Sequence, residues 1–588
     1  MRSAAAAYAA LAVLRVCFTL TPGYVHPDEY FQSIEPAAHL VGLHAELPWE
    51  FTVGEPVRSW VPVAFFVVWP LWLVRACSRA PGAALLLCAA RLPTCAFSFM
   101  QDIVLIRVCR AHSLPAAHLL LLHASAWPTL VFGARTFSNS LEATLAAFAL
   151  ATAAIPTKRT SDGRAASWPR YALLGVIIAF GCWVRFTFVL FSAFSAAASI
   201  AHDADGLIPN FRTHGARWRA SVVLLAAVIF AIPFIGLDCL VYGGGCVSAP
   251  WRCVAPLNAA MYNASARNLA RHGLHHRLTH ALVNLPLLTG PLALAASADL
   301  ASSLRRRVRC WLHGASSAGG VSPDAASVSN ASPDGDPDAS PSAQPDGPPP
   351  RLRRLLVPSI LFPLVALSYA PHQEVRFLLP LMLPMLLLYG HTLAGSAPDR
   401  SVAARGRGAW RLVAWLCLQL TLASFYAIVH QGGVAQAVAG LPRSPSHQLA
   451  ETTSRASRDG RTATAIFFRT YMPPRSLLGI ASDVPMTWSI VDLGGASRTE
   501  LAQAVEATRG RCRLQRRPPV YVVLPAVHAD VLYEGGRAQS RWCTVARVLA
   551  RGRATMAVPV RERRLWPHFS GEDLPRTPSD AALEVFRL

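Results

Sequence analysis

The segment GYVHPDEYFQS at positions 23–33 directly follows an apolar N-terminal stretch, roughly residues 4–20. That stretch is just long enough to cross a bilayer, which takes about 17 to 25 mostly apolar residues. Asp28 and Glu29 therefore lie where a first membrane helix ends, close to the lipid headgroups. Because a carboxylate in that place is costly unless it is paired or functional, the segment predicts a chemical site at a membrane surface.

The composition indicates a polytopic membrane protein, since 53% of the 588 residues are hydrophobic. Only Arg2 precedes the first helix, and no small-residue cleavage site follows it, so we interpret the helix as a retained anchor. The formal net charge of +22 would suggest a nucleic-acid partner in a soluble chain. Here the basic residues are scattered and accompany no nucleic-acid-binding motif, so they are interpreted as loop charges that orient membrane helices.

Hydropathy predicts about ten to twelve membrane crossings, the first helix included. The other apolar runs lie at 61–74, 84–106, 114–134, 140–156, 171–200, 220–242, 282–300, 355–370, 377–396 and 409–430. Basic loops at both ends of the three runs from 84 to 156 look cytosolic by the positive-inside rule. Three single crossings cannot begin and end on one side, so one run is broken, re-entrant or double. We expect this of the run at 84–106, which contains Arg91 and Pro93, and the run interrupted at Arg185 has the same ambiguity.

Two further regions are polar. Residues 313–350 are rich in Ser, Pro, Ala, Gly and Asp, which predicts a disordered cytosolic loop. Beyond residue 430 hydropathy falls and short β-like runs appear between turn residues. We therefore divide the chain into a membrane catalytic part, 1–430, and a soluble C-terminal domain, 431–588. The expected fold is an all-α polytopic membrane protein with a small mixed α/β soluble domain.

Cysteines and one sequon bear on membrane sidedness. Cys246 with Cys253, or Cys512 with Cys543, are candidate disulfides if their segments are luminal, although spacing alone does not fix the pairing. Asn263 begins an Asn-Ala-Ser sequon in a segment that we expect to face the lumen, and it is the predicted glycosylation site. The chain has no pair of CxxC motifs, so a structural zinc site is not predicted.

His26, Asp28 and Glu29 form the first candidate site. A carboxylate beside a histidine and a second acid has the components of a general base whose pKa is tuned by its neighbours. An alternative interpretation is structural, with Pro27 in a first helical turn that the acids cap. Both roles are compatible, but capping explains neither the histidine nor the Tyr-Phe-Gln that follows.

The second candidate is the basic stretch NLARHGLHHRLTHALVN at 268–284. Its histidines can share a helical face, so a metal site has to be considered. Because arginines are interleaved and no carboxylate or cysteine is near, we favour a polar, cationic surface for a phosphate or a sugar. The residues concerned, as candidates to bind the acceptor or a headgroup, are Arg271, His272, His275, Arg277 and His280. An interfacial basic helix that touches lipid is the alternative.

The third candidate is SYAPHQEVRF at 368–377, between two apolar runs. Charges inserted between closely spaced membrane helices are usually functional. His372 and Arg376 suit a phosphate, because imidazole and guanidinium donors form charge-assisted hydrogen bonds with its oxygens. Glu374 is grouped with the basic residues of 268–284 as part of the surface for a phosphate or a sugar. Helix termination with Arg376 reaching to the interface is the alternative.

The fourth candidate is RTFSNSLE at 135–142, again between apolar runs, where a purely structural ion pair between Arg135 and Glu142 is the alternative to a functional role. The WPHF stretch at 566–569 is a weak signal in the soluble tail. No P-loop, GxGxxG, GxSxG or HExxH pattern is present, so nucleotide, hydride and simple hydrolase chemistry lack support. A sugar-nucleotide donor is also not expected.

These blocks together resemble the α-mannosyltransferases that use dolichyl-phosphate mannose, glycosyltransferase family 22. The resemblance runs from residue 23 to about 569, apart from the 313–350 loop and parts of the tail, and includes TYMPPRSLL at 470–478. HPDE alone indicates only this wide family. The ARHGxHxRxTH and HQEVRF blocks favour its members that act on GPI anchor precursors.

The resemblance implies a GT-C fold in the endoplasmic reticulum membrane, with a luminal active site. It also implies inverting transfer of mannose, in α1,2 linkage, to the third mannose of a GPI precursor. Asp28 is then expected to be the base, oriented by Glu29 and His26, although Glu29 is an alternative base. Arg376, His372 and Arg135 are expected to hold the departing dolichyl phosphate. No metal or other cofactor is expected, since arginine and histidine can neutralise one phosphate.

Two alternatives remain at this point. A related family member would act on another acceptor, either the precursor of the third GPI mannose or a lipid-linked N-glycan. A transporter or flippase of lipid-linked sugars would also need many helices and buried charges, but it should show repeated halves and midplane charges. The expected partners are the donor lipid, the GPI precursor and the bilayer, whereas protein partners cannot be inferred.

Overall fold

The structure is a computed structural model, and it describes most of the chain. The described residues are 2–52, 54, 56–156, 168–201, 208–271, 273–316, 347–393, 402–441, 463–484, 488–510, 520–525, 528, 560–565 and 583–587. Several site predictions lie outside them, namely His272, the Cys512–Cys543 pair, the WPHF stretch and most of the 313–350 loop. The first residues of that loop are helical, because a helix continues to Ser316.

The described residues up to position 440 are mainly helical. The longer ones are Arg2–Cys17, Trp60–Cys77, Ala83–Ala111, Ala116–Ser125, Ser138–Ala154, Trp168–Val184, Phe188–Ala201, His214–Tyr242, Ala255–Ala264, Pro291–Ser316, Pro350–Tyr369, Met382–Tyr389, Val402–Ser424 and Gly432–Gly440. Side-chain caps fix two of the starts. Ser59 accepts the Val61 N–H at 3.0 Å and Thr213 accepts the Ala216 N–H at 3.3 Å, so each satisfies a donor that the helix leaves free.

Seven of the described helices are long and apolar enough to cross a membrane, and a bent pair makes eight. Three shorter apolar helices, Trp168–Val184, Phe188–Ala201 and His280–Thr289, accompany them. The multi-pass membrane class is therefore confirmed. The predicted total of ten to twelve is reached only if the shorter helices also cross.

The irregular crossing lies one helix later than predicted. Ala83–Ala111 is a single continuous helix, whereas Ala116–Ser125 and Trp127–Ala134 meet at an angle of 64°. The Trp127 N–H, displaced from the helical ladder by this bend, donates to Gln419 Oε1 at 2.9 Å. A polar side chain from another helix thus stabilises the break. The predicted interruption at Arg185 is confirmed, since one helix ends at Val184 and the next begins at Phe188.

One buried ionic cluster ties the first helix to the bundle. Asp102 accepts from Tyr8 Oη at 2.8 Å, and its oxygens lie 3.1 Å from Arg15 Nη2 and 3.2 Å from His123 Nε2. Arg15, Asp102 and His123 are all buried. Because an unpaired charge inside a membrane protein is costly, this mutual pairing fixes the position of the first helix.

The C-terminal part contains a five-stranded mixed sheet in the order β2-β1-β3-β5-β4. The strands are β1 Ala463–Phe467, β2 Trp488–Asp492, β3 Val520–Pro525, β4 Val560–Leu565 and β5 Leu583–Arg587. β1 pairs in parallel with β2 and β3, whereas β5 runs antiparallel to β3 and β4. The helix Arg498–Gly510 covers one face of the sheet through Leu501 and Val505. The predicted fold class is confirmed.

The opposite face of the sheet packs against the N-terminal segment. Ala463, Phe467 and Tyr521 belong to the same buried cluster as Tyr24 and Tyr30. The two parts of the chain therefore share a hydrophobic core. The predicted domain boundary at residue 430 stays a prediction.

Candidate active site

A cleft of about 520 Å³ opens at the ends of the membrane helices. Its volume is within the range of about 300–1,000 Å³ that is usual for small-molecule sites. Predicted residues from three separate stretches line it: His26, Asp28, Asn263, His372, Glu374 and Arg376. The structure thus joins the start of the chain to the 368–377 stretch at one surface.

The turn at Pro27 orients Asp28 towards the cleft. The Tyr30 N–H donates to the Pro27 carbonyl at 3.0 Å, which begins the helical segment, and the Asp28 N–H donates to His26 Nδ1 at 3.2 Å. The imidazole of His26 therefore caps the turn, a role that the sequence had suggested for the acids. The Asp28 carboxylate also lies beside this ring, with Oδ1 3.2 Å from His26 Nδ1, and 22% of the Asp28 side chain is exposed.

Arg376 connects the two acids of the cleft. Its Nη1 lies 2.6 Å from Asp28 Oδ2, while its Nε and Nη2 donate to Glu374 at 2.5 and 3.0 Å. His372 Nε2 lies 2.7 Å from Glu374 Oε1, the same oxygen that accepts from Arg376 Nη2. His26 Nε2 completes the cluster at 3.7 Å from Glu374 Oε2. Two carboxylates, one guanidinium and two imidazoles are thereby held together at the cleft wall.

The electrostatics of this cluster keep both acids ionised. Burial acts to raise the pKa of Asp28, but the Arg376 guanidinium, assisted by His26, holds that pKa well below its usual range. For Glu374 burial is likewise outweighed, by Arg376 and a hydrogen bond with His372, so its pKa is also lowered. A carboxylate whose proton affinity is reduced in this way is a weak base until the guanidinium moves away.

Glu29 lies on the opposite side of the turn, and its position does not suit a base. It is fully buried, with Oε1 2.6 Å from Arg91 Nη2 and Oε2 3.2 Å from Arg135 Nη1. It does not line the cleft among the described residues. Glu29 therefore anchors the segment to the helix that carries Arg91 and to the connection that carries Arg135, so that of the two acids only Asp28 lines the cleft.

Arg135 does not lie where a phosphate could reach it. Its side chain is fully buried, Nη1 pairs with Glu29, and Nη2 donates to Thr21 Oγ1 at 3.2 Å. The suggested Arg135–Glu142 pair is also absent, since Glu142 Oε2 lies 3.2 Å from Arg185 Nε. Glu142 thus pairs with an arginine that lies between the helices Trp168–Val184 and Phe188–Ala201.

The basic histidine stretch is not one helix. The preceding helix ends at Ala270, and Gly273 has φ +98°, a conformation that breaks a helix and favours glycine. Arg271, His275, His276 and Arg277 are exposed, whereas His280 is buried with Nδ1 3.0 Å from Asn284 Nδ2. The expected common face is therefore wrong for the described residues of this stretch.

This stretch nevertheless packs directly behind the cleft. The His275 N–H donates to the Pro371 carbonyl at 2.8 Å, and the Gln373 N–H donates to His275 Nδ1 at 3.2 Å. Gln373 also accepts the His280 N–H at 2.8 Å. Apart from Glu374, the predicted acceptor residues within the described ranges do not line the cleft, and this geometry makes them a support for the 371–377 segment.

The region after residue 242 also reaches the cleft. Cys246 and Cys253 are disulfide-bonded, which confirms one of the two candidate pairs. The helix Ala255–Ala264 follows immediately and lines the cleft with Tyr262 and Asn263. Asn263 Nδ2 donates to the Ala259 carbonyl at 2.8 Å, so a glycan on it would stand at the rim of the cleft. Its glycosylation stays a prediction.

Several cleft residues were not identified from the sequence. They are Gln32, Trp49, Glu50, Arg58, Arg185, Tyr262 and Met472. Three of them had a usable signal: Gln32 follows Asp28 by four residues, Arg185 interrupts an apolar run, and Met472 belongs to the TYMPPRSLL block. The others lie in loops or distant helices without a distinguishing pattern. Among the described residues no group of three or more His, Cys, Asp or Glu side chains is arranged to hold a metal ion.

The chain is similar to a family of sugar-transferring enzymes over most of its length. The model of the Alg9-like mannosyltransferase family matches residues 6–478. This range contains every residue named above as lining the cleft, from His26 to Met472.

Individual relatives match over most of both chains. The GPI alpha-1,2-mannosyltransferase 4 of Homo sapiens is 30% identical, with 84% of this chain and 80% of the relative covered. The GPI mannosyltransferase 4 of Aspergillus oryzae is 28% identical, with 88% and 86% covered. That of Drosophila melanogaster is 26% identical, with 90% and 82% covered. The crystal structure of ArnT from Cupriavidus metallidurans in the apo state has a TM-score of 0.48 at 12% identity, with 99% of this chain and 97% of that chain covered.

Proposed function

The chain belongs to the Alg9-like mannosyltransferase family, and on this premise we propose that it adds a side-branch mannose to GPI anchor precursors. The donor is dolichyl-phosphate mannose, and the acceptor is the 2-hydroxyl of the third mannose. The relatives named as GPI mannosyltransferase 4, at 24–30% identity over most of the chain, support this acceptor class.

The Asp28–Arg376 pair at the cleft is the observation that carries the proposal. A carboxylate and a guanidinium 2.6 Å apart supply both charges that an inverting transfer from a lipid phosphate requires. The carboxylate takes the proton of the attacking hydroxyl, and the cation neutralises the leaving phosphate. Both groups lie at the ends of membrane helices, where a lipid-linked sugar would enter.

The reaction itself is one in-line displacement. The acceptor oxygen attacks C1 of the donor mannose while its proton passes to an oxygen of Asp28. The bond from C1 to the phosphate oxygen breaks, and its electron pair leaves with dolichyl phosphate. Arg376 and His372 then neutralise the charge on the phosphate, and the β-linked donor becomes an α-linked product.

Donor binding also activates the base. In the structure Arg376 lowers the proton affinity of Asp28, because it lies against the carboxylate. An arriving phosphate competes for the same guanidinium, so Asp28 loses part of its cation and its pKa rises towards the ordinary value. Asp28 is therefore a competent base only when the donor is present, which limits proton abstraction to the productive complex.

The proposed chemistry needs no metal, since the leaving group is one phosphate and two cationic or donor side chains face it. We place the cleft on the luminal side of the endoplasmic reticulum membrane. The Cys246–Cys253 disulfide directly precedes a helix that lines the cleft, and disulfides persist in oxidising compartments. The arginine-rich segments near 305–309 and 351–354 would then face the cytosol.

Other acceptors and another class of protein are the alternatives. Membership of a mannosyltransferase family favours an enzyme over a flippase of lipid-linked sugars. A related acceptor, either the GPI precursor with two mannoses or a lipid-linked N-glycan, would use the same donor chemistry. The acceptor assignment therefore needs its own experiment.

The test is the GPI precursor profile of cells from which the gene has been deleted. We expect the four-mannose species to disappear and its three-mannose precursor to accumulate, with both restored by the wild-type chain. Membranes that contain the chain should also transfer radiolabelled mannose from dolichyl-phosphate mannose to a purified three-mannose precursor. Accumulation of a two-mannose GPI or of a shortened N-glycan precursor would refute the acceptor.

A further inference from the structure

The cleft continues away from Asp28 into a second region that the transfer reaction leaves unused. Trp49 and Tyr262 form its floor, with ring centroids 5.0 Å apart, and half of the Trp49 side chain is exposed. Glu50 lies beside them and pairs with Arg58, Nε to Oε1 at 3.1 Å. We call Gln32, Trp49, Glu50, Arg58 and Tyr262 the aromatic shelf.

We propose that the aromatic shelf binds the acceptor sugar next to the mannose that is attacked. A pyranose ring has an apolar C–H face and a rim of hydroxyls. The exposed ring of Trp49 can take the apolar face, because the negative face of an aromatic system attracts C–H groups. The carboxylate of Glu50 and the guanidinium of Arg58 can accept from and donate to the hydroxyls at the rim.

Gln32 links the aromatic shelf to the segment that carries Asp28. Its Nε2 donates to both oxygens of Glu50 at 3.2 Å, whereas its Oε1 is buried without a hydrogen-bond partner among the described residues. A buried carbonyl oxygen without a donor is costly, and a sugar hydroxyl would satisfy it. Gln32 therefore has one polar atom paired within the shelf and one unpaired atom beside the cleft, which a sugar hydroxyl can pair with once the side chain turns towards it.

The shelf adjoins the base along the chain. Gln32 follows Asp28 by four residues, in a segment that continues as the π-helix Tyr30–Ile34, and both side chains line the same cleft. With the attacking hydroxyl at Asp28, the neighbouring unit of the acceptor falls beside Gln32 and above Trp49. The aromatic shelf thus recognises an oligosaccharide rather than a single terminal sugar, and this deepens the proposed function on which it rests.

The experiment compares two acceptors for the wild type and Trp49→Ala, each as the full-length protein in membranes. One acceptor is the three-mannose GPI precursor, and the other is a lipid-linked single α-mannoside. For Trp49→Ala we expect a KM for the three-mannose acceptor about tenfold above wild type, as the loss of one aromatic stack predicts. The KM for the donor and the rate with the single mannoside should be unchanged. Gln32→Leu should shift the same KM in the same direction.

Trp251→Ala is the matched control, because Trp251 is 68% exposed but does not line the cleft. It should alter neither acceptor. An unchanged KM in Trp49→Ala, or an equal loss with both acceptors, would overturn the proposal. If the wild type transfers mannose to a different oligosaccharide and not to the three-mannose GPI precursor, the GPI assignment is wrong. The role of the aromatic shelf is then tested by comparing wild type and Trp49→Ala on that oligosaccharide and on its terminal monosaccharide.

Discussion

Asp28 and Glu29 are adjacent in the chain but lie in two different environments. Asp28 faces the cleft, pairs with one arginine and keeps part of its surface exposed. Glu29 is completely buried between Arg91, in the helix Ala83–Ala111, and Arg135, in the connection before the helix Ser138–Ala154. The difference shows how one turn can separate chemistry from anchoring, because the acid that is fully satisfied by the protein holds the other in place.

The largest expected effect is on transfer, from Asp28→Asn. Removing the base while keeping the shape should lower the mannose transfer rate about 10²- to 10⁴-fold, the usual contribution of general base catalysis. The protein should still be inserted and folded, as checked by its melting temperature in detergent. Near-normal transfer would show that Asp28 is not the base.

The next effect is on stability, from Glu29→Gln. Two buried arginines would lose their common counter-ion, which should lower the free energy of unfolding by about 3–5 kcal/mol. Thermal unfolding of the purified protein measures this. Arg135→Met is the control, since it keeps the Arg91–Glu29 pair and should cost less. If Glu29→Gln stays as stable as wild type and loses only activity, the anchoring role is wrong.

A smaller effect is expected from Glu374→Gln, which loosens the hold on Arg376. Charge-assisted hydrogen bonds from Nε and Nη2 orient that guanidinium. Their weakening should reduce kcat/KM for the donor about 10- to 100-fold and weaken inhibition by dolichyl phosphate. Glu50→Gln, in the aromatic shelf, where the carboxylate pairs with Gln32 and Arg58, should leave the KM for the donor unchanged. Equal donor effects in both variants would contradict this division of the cleft.

The smallest expected effect is the pH dependence of the melting temperature. The pKa of Asp28 is lowered in the folded protein, so its ion pair stabilises the fold fully above the unfolded pKa of about 4 and is lost as pH falls through the folded value. The difference in melting temperature between wild type and Asp28→Asn should therefore be constant from pH 7 to about pH 4 and shrink below it. A difference that already changes between pH 7 and 5 would contradict the lowered pKa.

The parts of the site that carry charge next to apolar runs could be predicted from the sequence. Asp28, His26, His372 and Arg376 were all selected because membrane proteins rarely place charges there without a use. The structure brings these four together. Their mutual distances were not predictable, since they depend on how two ends of the chain pack.

Other features were missed for physical reasons. Glu29 pairs with Arg91 and Arg135, which lie far from it in the sequence. Hydropathy does not indicate which buried charges form such pairs. The helix break at Ala126 coincides with Pro128 in the first turn of the next helix, a signal that the prediction from sequence did not use, and Gln419 from another helix stabilises it. Trp49, with its aromatic neighbour, lies in a loop without periodicity. Gly273, by contrast, was a visible signal against the single basic helix.

One hydrogen bond has a consequence for how the enzyme is made. The Tyr24 hydroxyl donates to the Met472 carbonyl at 3.0 Å, and Met472 lines the same cleft as His26. The N-terminal segment can therefore make this contact only after about four-fifths of the 588 residues have been synthesised. Synthesis can deliver every apolar helix named above to the translocation machinery before this contact forms. A chain cut short after the helix that ends at Val429 would keep Asp28 and Arg376 but would lack Met472 in the wall of the cleft.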